Sequence, residues 1–151
     1  MRLLLLILSM IPVSIFACQF TSEGFEKALK EHRQFVESII QKSDTIVEIF
    51  VDSVEQVKSE KSGFNKYQAT VSNVEKIKGE FDNRVFWYKP IEQIVIMGSC
   101  DNLYWDNNTS LDEEESYLVY LKKGEVLRAR VIELPEFSYE DERKLLKAKG
   151  I

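Results

Sequence analysis

The chain is poor in the residues from which most protein chemistry is built. Its 151 residues include one histidine, two cysteines, three prolines and six glycines. With His32 as the only imidazole, a multi-histidine metal centre is excluded. No nucleophile motif accompanies that histidine, so a histidine-based triad is not expected. Paired Cys or His at metal-ligand spacing and glycine-rich phosphate loops are also missing. The inventory predicts a protein that is not an enzyme and carries no cofactor and no intrinsic metal. Base is short relative to acid, 20 Lys and Arg against 25 Asp and Glu, a formal charge of −5. That balance argues against nucleic acid, whose binding is dominated by phosphate neutralisation. It argues equally against adhesion of the body to an anionic bilayer. After the first seventeen residues there is no long apolar run, so no further segment is expected to cross a membrane.

Those seventeen residues are the most conspicuous stretch present. Met1-Arg2 leads into the uncharged apolar run Leu3 to Phe16, and small Ala17 closes it. The run is short for a bilayer span and reads as a signal peptide over 1–17, leaving 18–151 as a single exported domain, periplasmic or secreted. Cys18 then becomes the first mature residue, and Cys100 is the only other cysteine. Two cysteines in an oxidising compartment favour one disulfide, worth roughly 4–5 kcal/mol in the chain-entropy picture. The alternative is that Ile15-Phe16-Ala17-Cys18 acts as a lipobox, Cys18 is lipidated, and the chain is a lipid-anchored envelope protein with a scaffolding role. In that case, and only then, a membrane is a partner.

Apolar residues Phe25, Ala28, Leu29, Phe35, Val36, Ile39 and Ile40 recur at steps of three and four, with His32 among them, and predict an amphipathic helix from Ser22 to Lys42. Thr21 or Ser22 can cap it. β-Branched and alternating runs predict strands over 45–54, 65–77 (with Tyr67, Ala69, Val71 and Asn73 on one face), 84–88, 117–121 and 126–134, and a short continuation over 94–97. Lys122-Lys123-Gly124-Glu125 is the turn of the last hairpin. Ser138 precedes a terminal helix with acids at its start and lysines at its end, matching the helix dipole. The expected fold is mainly β with flanking helices: a five-stranded OB-like closed barrel between an N-terminal amphipathic helix and a C-terminal helix.

Three further features have a plain reading beside a functional one. His32 reads as a packing residue of the first helix rather than a ligand or base. Asp112-Glu113-Glu114-Glu115, with Asp101 and Asp106, offers oxygen ligands for Ca²⁺ but lacks the alternation and glycine of a loop-type site, and reads as a solvated loop. Phe86, Trp87, Tyr88, Tyr104 and Trp105 read as barrel filling or as an aromatic recognition surface.

Four landmarks in order carry a resemblance. A cysteine directly follows the signal peptide; Ser43-Asp44-Thr45-Ile46-Val47 stands at a helix-to-strand junction; Val71 to Gly79 is a strand closing in Lys78-Gly79; and Gly98-Ser99-Cys100-Asp101 precedes Tyr117-Leu118-Val119-Tyr120. The chain thereby resembles the netrin-like, tissue-inhibitor-of-metalloproteinase-like domains of secreted bacterial proteins. The resemblance implies an OB-fold with Cys18 bonded to Cys100. It further implies a protein partner, a zinc metalloprotease in the sharpest version, met by a ridge of Cys18, Gln19 and Phe20. There the α-amine and carbonyl of Cys18 would chelate the partner's zinc, since an α-amine titrates near 7.7–8 and keeps a lone pair available. The chain has Phe20 where the inhibitors of that family have a second cysteine.

Overall fold

The computed structural model describes residues 22–91, 108–132 and 139–151. Helix α1 spans Ser22–Lys42, followed by strands β1 (Thr45–Val57), β2 (Phe64–Lys78), β3 (Val85–Pro90), β4 (Ser116–Lys122) and β5 (Glu125–Val131), and by helix α2 (Tyr139–Ala148). The protein is therefore mainly β with a helix before and a helix after the strands, as its periodicities predict. Thr21, Ser138 and the 94–97 stretch lie outside the described residues.

The five strands follow one another in the order β1-β2-β3-β5-β4, and β4 returns to pair with β1. Among the described residues every strand pairing is antiparallel except the one between β3 and β5, where Phe86 stands opposite Glu125 in parallel. Strand β1 is the hinge of this ring: Ile46 faces Tyr120 of β4 on one side and Lys78 of β2 on the other.

Strand alternation sorts the side chains into two apolar clusters. Val47, Ile49, Val51, Ala69, Val85, Trp87, Tyr117, Val119, Leu121, Val126 and Ala129 form one, with Leu111. The alternate residues Ile46, Leu118 and Tyr120 form the other, together with Val36, Ile39 and Ile40 of α1 and Leu146 of α2. Asn73 departs from the expected alternation. Between the pairs Glu48–Glu75 and Phe50–Ser72 the second strand advances by one residue more than the first. Asn73 sits in that bulge at φ 48°, exposed, rather than on the face shared by Ala69 and Val71.

The last turn is built as its residues require. Lys123 and Gly124 both have positive φ, 52° and 78°, the conformation of a two-residue hairpin whose twist matches its strands.

Candidate functional site

Cys18, Gln19, Phe20 and Cys100, the residues predicted to form the disulfide and the contact ridge, lie outside the described residues, as do Tyr104 and Trp105. The other sequence landmarks are described, and two of them meet.

Ser43-Asp44-Thr45 and Lys78-Gly79-Glu80, far apart in the chain, form one junction. The last carbonyls of a helix have no partner within the helix and attract cations. Lys78 Nζ supplies that cation, donating to the carbonyls of Ile40 (3.0 Å) and Ser43 (2.6 Å). Ser43 Oγ donates to the carbonyl of Ile39 at 2.7 Å. Thr45 Oγ1 donates to the carbonyl of Glu80 at 2.8 Å. Asp44 accepts the backbone N–H of Lys123 at 2.9 Å, which brings in the β4–β5 turn. Gly79, at φ 72°, lies so close that a Cβ there would overlap the Asp44 carbonyl oxygen. The Lys-Gly ending is thus explained by contact: lysine to cap the helix, glycine to let two backbones touch.

A second cluster fastens α2. Glu142 belongs to the acids that open this helix, yet it is 3 % exposed and points inward. Its Oε1 accepts from Arg128 Nη2 at 2.7 Å and its Oε2 from the Tyr120 hydroxyl at 2.7 Å. Arg128 is fully buried, its guanidinium carbon 5.8 Å from the Phe35 ring centroid, and its Nε and Nη1 have no hydrogen-bond partner among the described residues. Burial, and behind it the adjacent Glu142 carboxylate, push the Tyr120 hydroxyl far above its ordinary value of 10.0. The next residue, Arg143, reaches Glu48 of β1 (3.2 Å) and Glu75 of β2 (3.0 Å). Glu142 escaped the sequence reading because an acid in a first helical turn is already accounted for by the dipole.

Between α1 and α2 lies an open cavity of about 380 Å³ with Leu29, Val36 and Leu145 as apolar lining and His32, Arg33 and Glu142 among its polar groups. His32 is half-buried on the wall of this cavity.

The acidic run is docked rather than loose. Glu113 Oε1 accepts the Val54 N–H at 2.8 Å, and backbone bonds join Glu114 and Glu115 to Val51 at 2.9 Å each. Tyr117 accepts the Asp112 N–H through its hydroxyl at 3.1 Å. Burial raises the Tyr117 pKa, the Asp112 hydrogen bond opposes it, and the charges of Asp112 and Glu115 add to the rise. Among the described residues no three Asp, Glu, His or Cys converge to hold a metal ion.

The described aromatics divide by strand parity. Trp87 is 1 % exposed within the all-strand cluster, with Tyr67 stacked on it at 5.8 Å and 16°. Phe86 and Tyr88 take the opposite face, edge to face at 6.1 Å. Their cross-strand partners there are Gln68 and Lys66, and Phe64 lies opposite Pro90. Lys61 reaches over Phe64 at 4.3 Å, and Lys66 over Phe86 at 4.5 Å. Sequence reasoning singles out Phe86, Trp87 and Tyr88 but neither Phe64 nor these lysines; the period of two in Phe64-Asn65-Lys66 and Phe86-Trp87-Tyr88 is the available signal.

No family model and no curated protein matches this chain.

Proposed function

We propose that this chain is a non-catalytic, exported protein-binding domain built on an OB-type closed barrel, similar to the netrin-like and metalloproteinase-inhibitor-like domains. In this reading the chain contacts its partner through Cys18, Gln19 and Phe20, and Cys18 is bonded to Cys100. The observation that supports it best is the junction just described. Ser43-Asp44-Thr45 and Lys78-Gly79, two stretches that carry the resemblance, are far apart in sequence and pack against each other. The strand order, closing on itself with one parallel contact between β3 and β5, fits a five-stranded barrel of this type.

The sharpest form of the reading is inhibition of a zinc protease by chelation through the free α-amine and carbonyl of Cys18. Intact mass of the exported protein is the first test. A mature chain beginning at Cys18, lighter by two hydrogens than its reduced form, is the expected result. A lipid adduct on Cys18 would move the protein to the envelope-anchored alternative and abolish the amine chelation. Assay against a panel of zinc proteases is the second test. Inhibition that disappears on acetylating the N-terminus is expected, and a panel left untouched removes the inhibitor reading.

A further inference from the structure

We propose that the face of β2 and β3 bearing Phe64, Phe86 and Tyr88 is a docking surface for an acidic polypeptide segment, with Lys61 and Lys66 as its two anion-binding groups. The proposal does not rest on the cysteine-ridge reading, because it uses a different surface.

Lysine on a protein surface ordinarily wags in solvent, and holding it still costs side-chain entropy. Here both ammonium groups are already placed. Lys61 Nζ lies 4.3 Å from the Phe64 centroid and 5.4 Å from that of Tyr88. Lys66 Nζ lies 4.5 Å from Phe86 and 5.9 Å from Tyr88. A ring face attracts the charge through its quadrupole but leaves the ammonium's remaining N–H donors unused. Although the chain carries 25 acids, neither ammonium has a carboxylate within ion-pair range among the described residues. Two fixed cations with spare donors are arranged to receive carboxylates at reduced entropic cost.

The same geometry selects among anionic partners. A single-stranded nucleic acid needs open ring faces on which to stack its bases, and lysines cover the faces of Phe64 and Phe86. An anionic bilayer would meet the whole acidic body as well as this patch, and the net charge of −5 opposes that approach. A slender peptide touches the patch alone. Ile91, 62 % exposed, adds an apolar contact at the end of β3, where its N–H donates to the Gly63 carbonyl at 3.2 Å. The favoured segment therefore places an apolar side chain beside its carboxylates.

Fluorescence anisotropy of a labelled glutamate-rich peptide carrying one leucine, titrated with the full-length mature protein, tests this. Binding at low ionic strength is expected, weakening as salt is raised because the attraction is screened. The double variant Lys61→Gln/Lys66→Gln should raise Kd roughly tenfold or more. Lys30→Gln/Lys147→Gln, on the two helices and with the same change in net charge, should leave it nearly unchanged. Should the first pair unfold the protein, Ile91→Asp replaces it and should weaken binding in the same assay. Acetylating the N-terminus should have no effect, which separates this surface from the cysteine ridge. No binding to the peptide, an equal loss in both lysine pairs, or tighter binding to phosphatidylserine vesicles or oligo-dT would overturn the proposal.

Discussion

Around Val119 and Trp87, one face of the sheet is closed by apolar side chains drawn from all five strands. The face beneath α1 and α2 adds to its apolar residues a buried charge pair and a tyrosine hydroxyl. The difference is one of tolerance. An apolar cluster loses stability in proportion to the volume removed, and partial changes have partial effects. A buried ion pair behaves otherwise: removing one member leaves the other desolvated and uncompensated, while replacing both with apolar groups of similar size is often harmless. The helix-covered face should thus be as sensitive to single changes as the other but the more forgiving of paired ones.

The largest effects should come from Glu142→Ala and Trp87→Ala; the first strands the fully buried Arg128 and takes the acceptor from Tyr120. A loss of about 3–5 kcal/mol in urea unfolding is expected. The double variant Arg128→Met/Glu142→Leu should recover most of that loss. Failure to recover would mean that the pair acts through more than its charge. Trp87→Ala, on the all-strand face, should cost about 3–5 kcal/mol by cavity formation, with no partner change able to rescue it. Tyr120→Phe should cost less, about 1.5–3 kcal/mol for a hydrogen bond to a charged acceptor. This variant also sharpens the pH dependence. With its folded pKa raised, Tyr120 stays protonated while the unfolded chain ionises near 10.0. Its contribution is fully present below pH 10 and fades as pH rises above it, at about 1.4 kcal/mol per unit for one proton. Thermal unfolding followed above pH 10 should fall less steeply in Tyr120→Phe than in the parent. The smallest effect is expected from Asp141→Asn. It removes the exposed pair with Lys144 at 3.1 Å and one of the acids facing the helix dipole, and should change stability by less than about 1 kcal/mol.

Periodicity carried most of the fold. The three-and-four spacing of Val36, Ile39 and Ile40 located the face that α1 buries, and β-branched alternation located the strands to within a few residues. What alternation could not carry is Asn73, because a bulge changes the count within a strand and leaves no mark on composition. Leu29, grouped with the buried stripe by spacing, remains 37 % exposed beside the cavity between the helices, since spacing names a face without saying how far its cover extends. The polar cluster was illegible for a related reason. Arg128 stands opposite Tyr120 across β4 and β5, and Glu142 comes from a helix after them, so their meeting is a property of the sheet register. Nothing in composition marks Lys66; its strand pairing with Tyr88 is what sets it beside the rings of β3.

The junction at the end of α1 has a mechanical meaning. Tension entering from the N-terminal side passes through Ser43 and Asp44 into β1, the strand gripped along its length by β2 and over Thr45–Phe50 by β4. Such a load would have to slide β1 past both neighbours at once, and it would first have to tear Lys78 from the two carbonyls it holds. A pull on that end would thus be met by shear along a strand rather than by peeling at its edge.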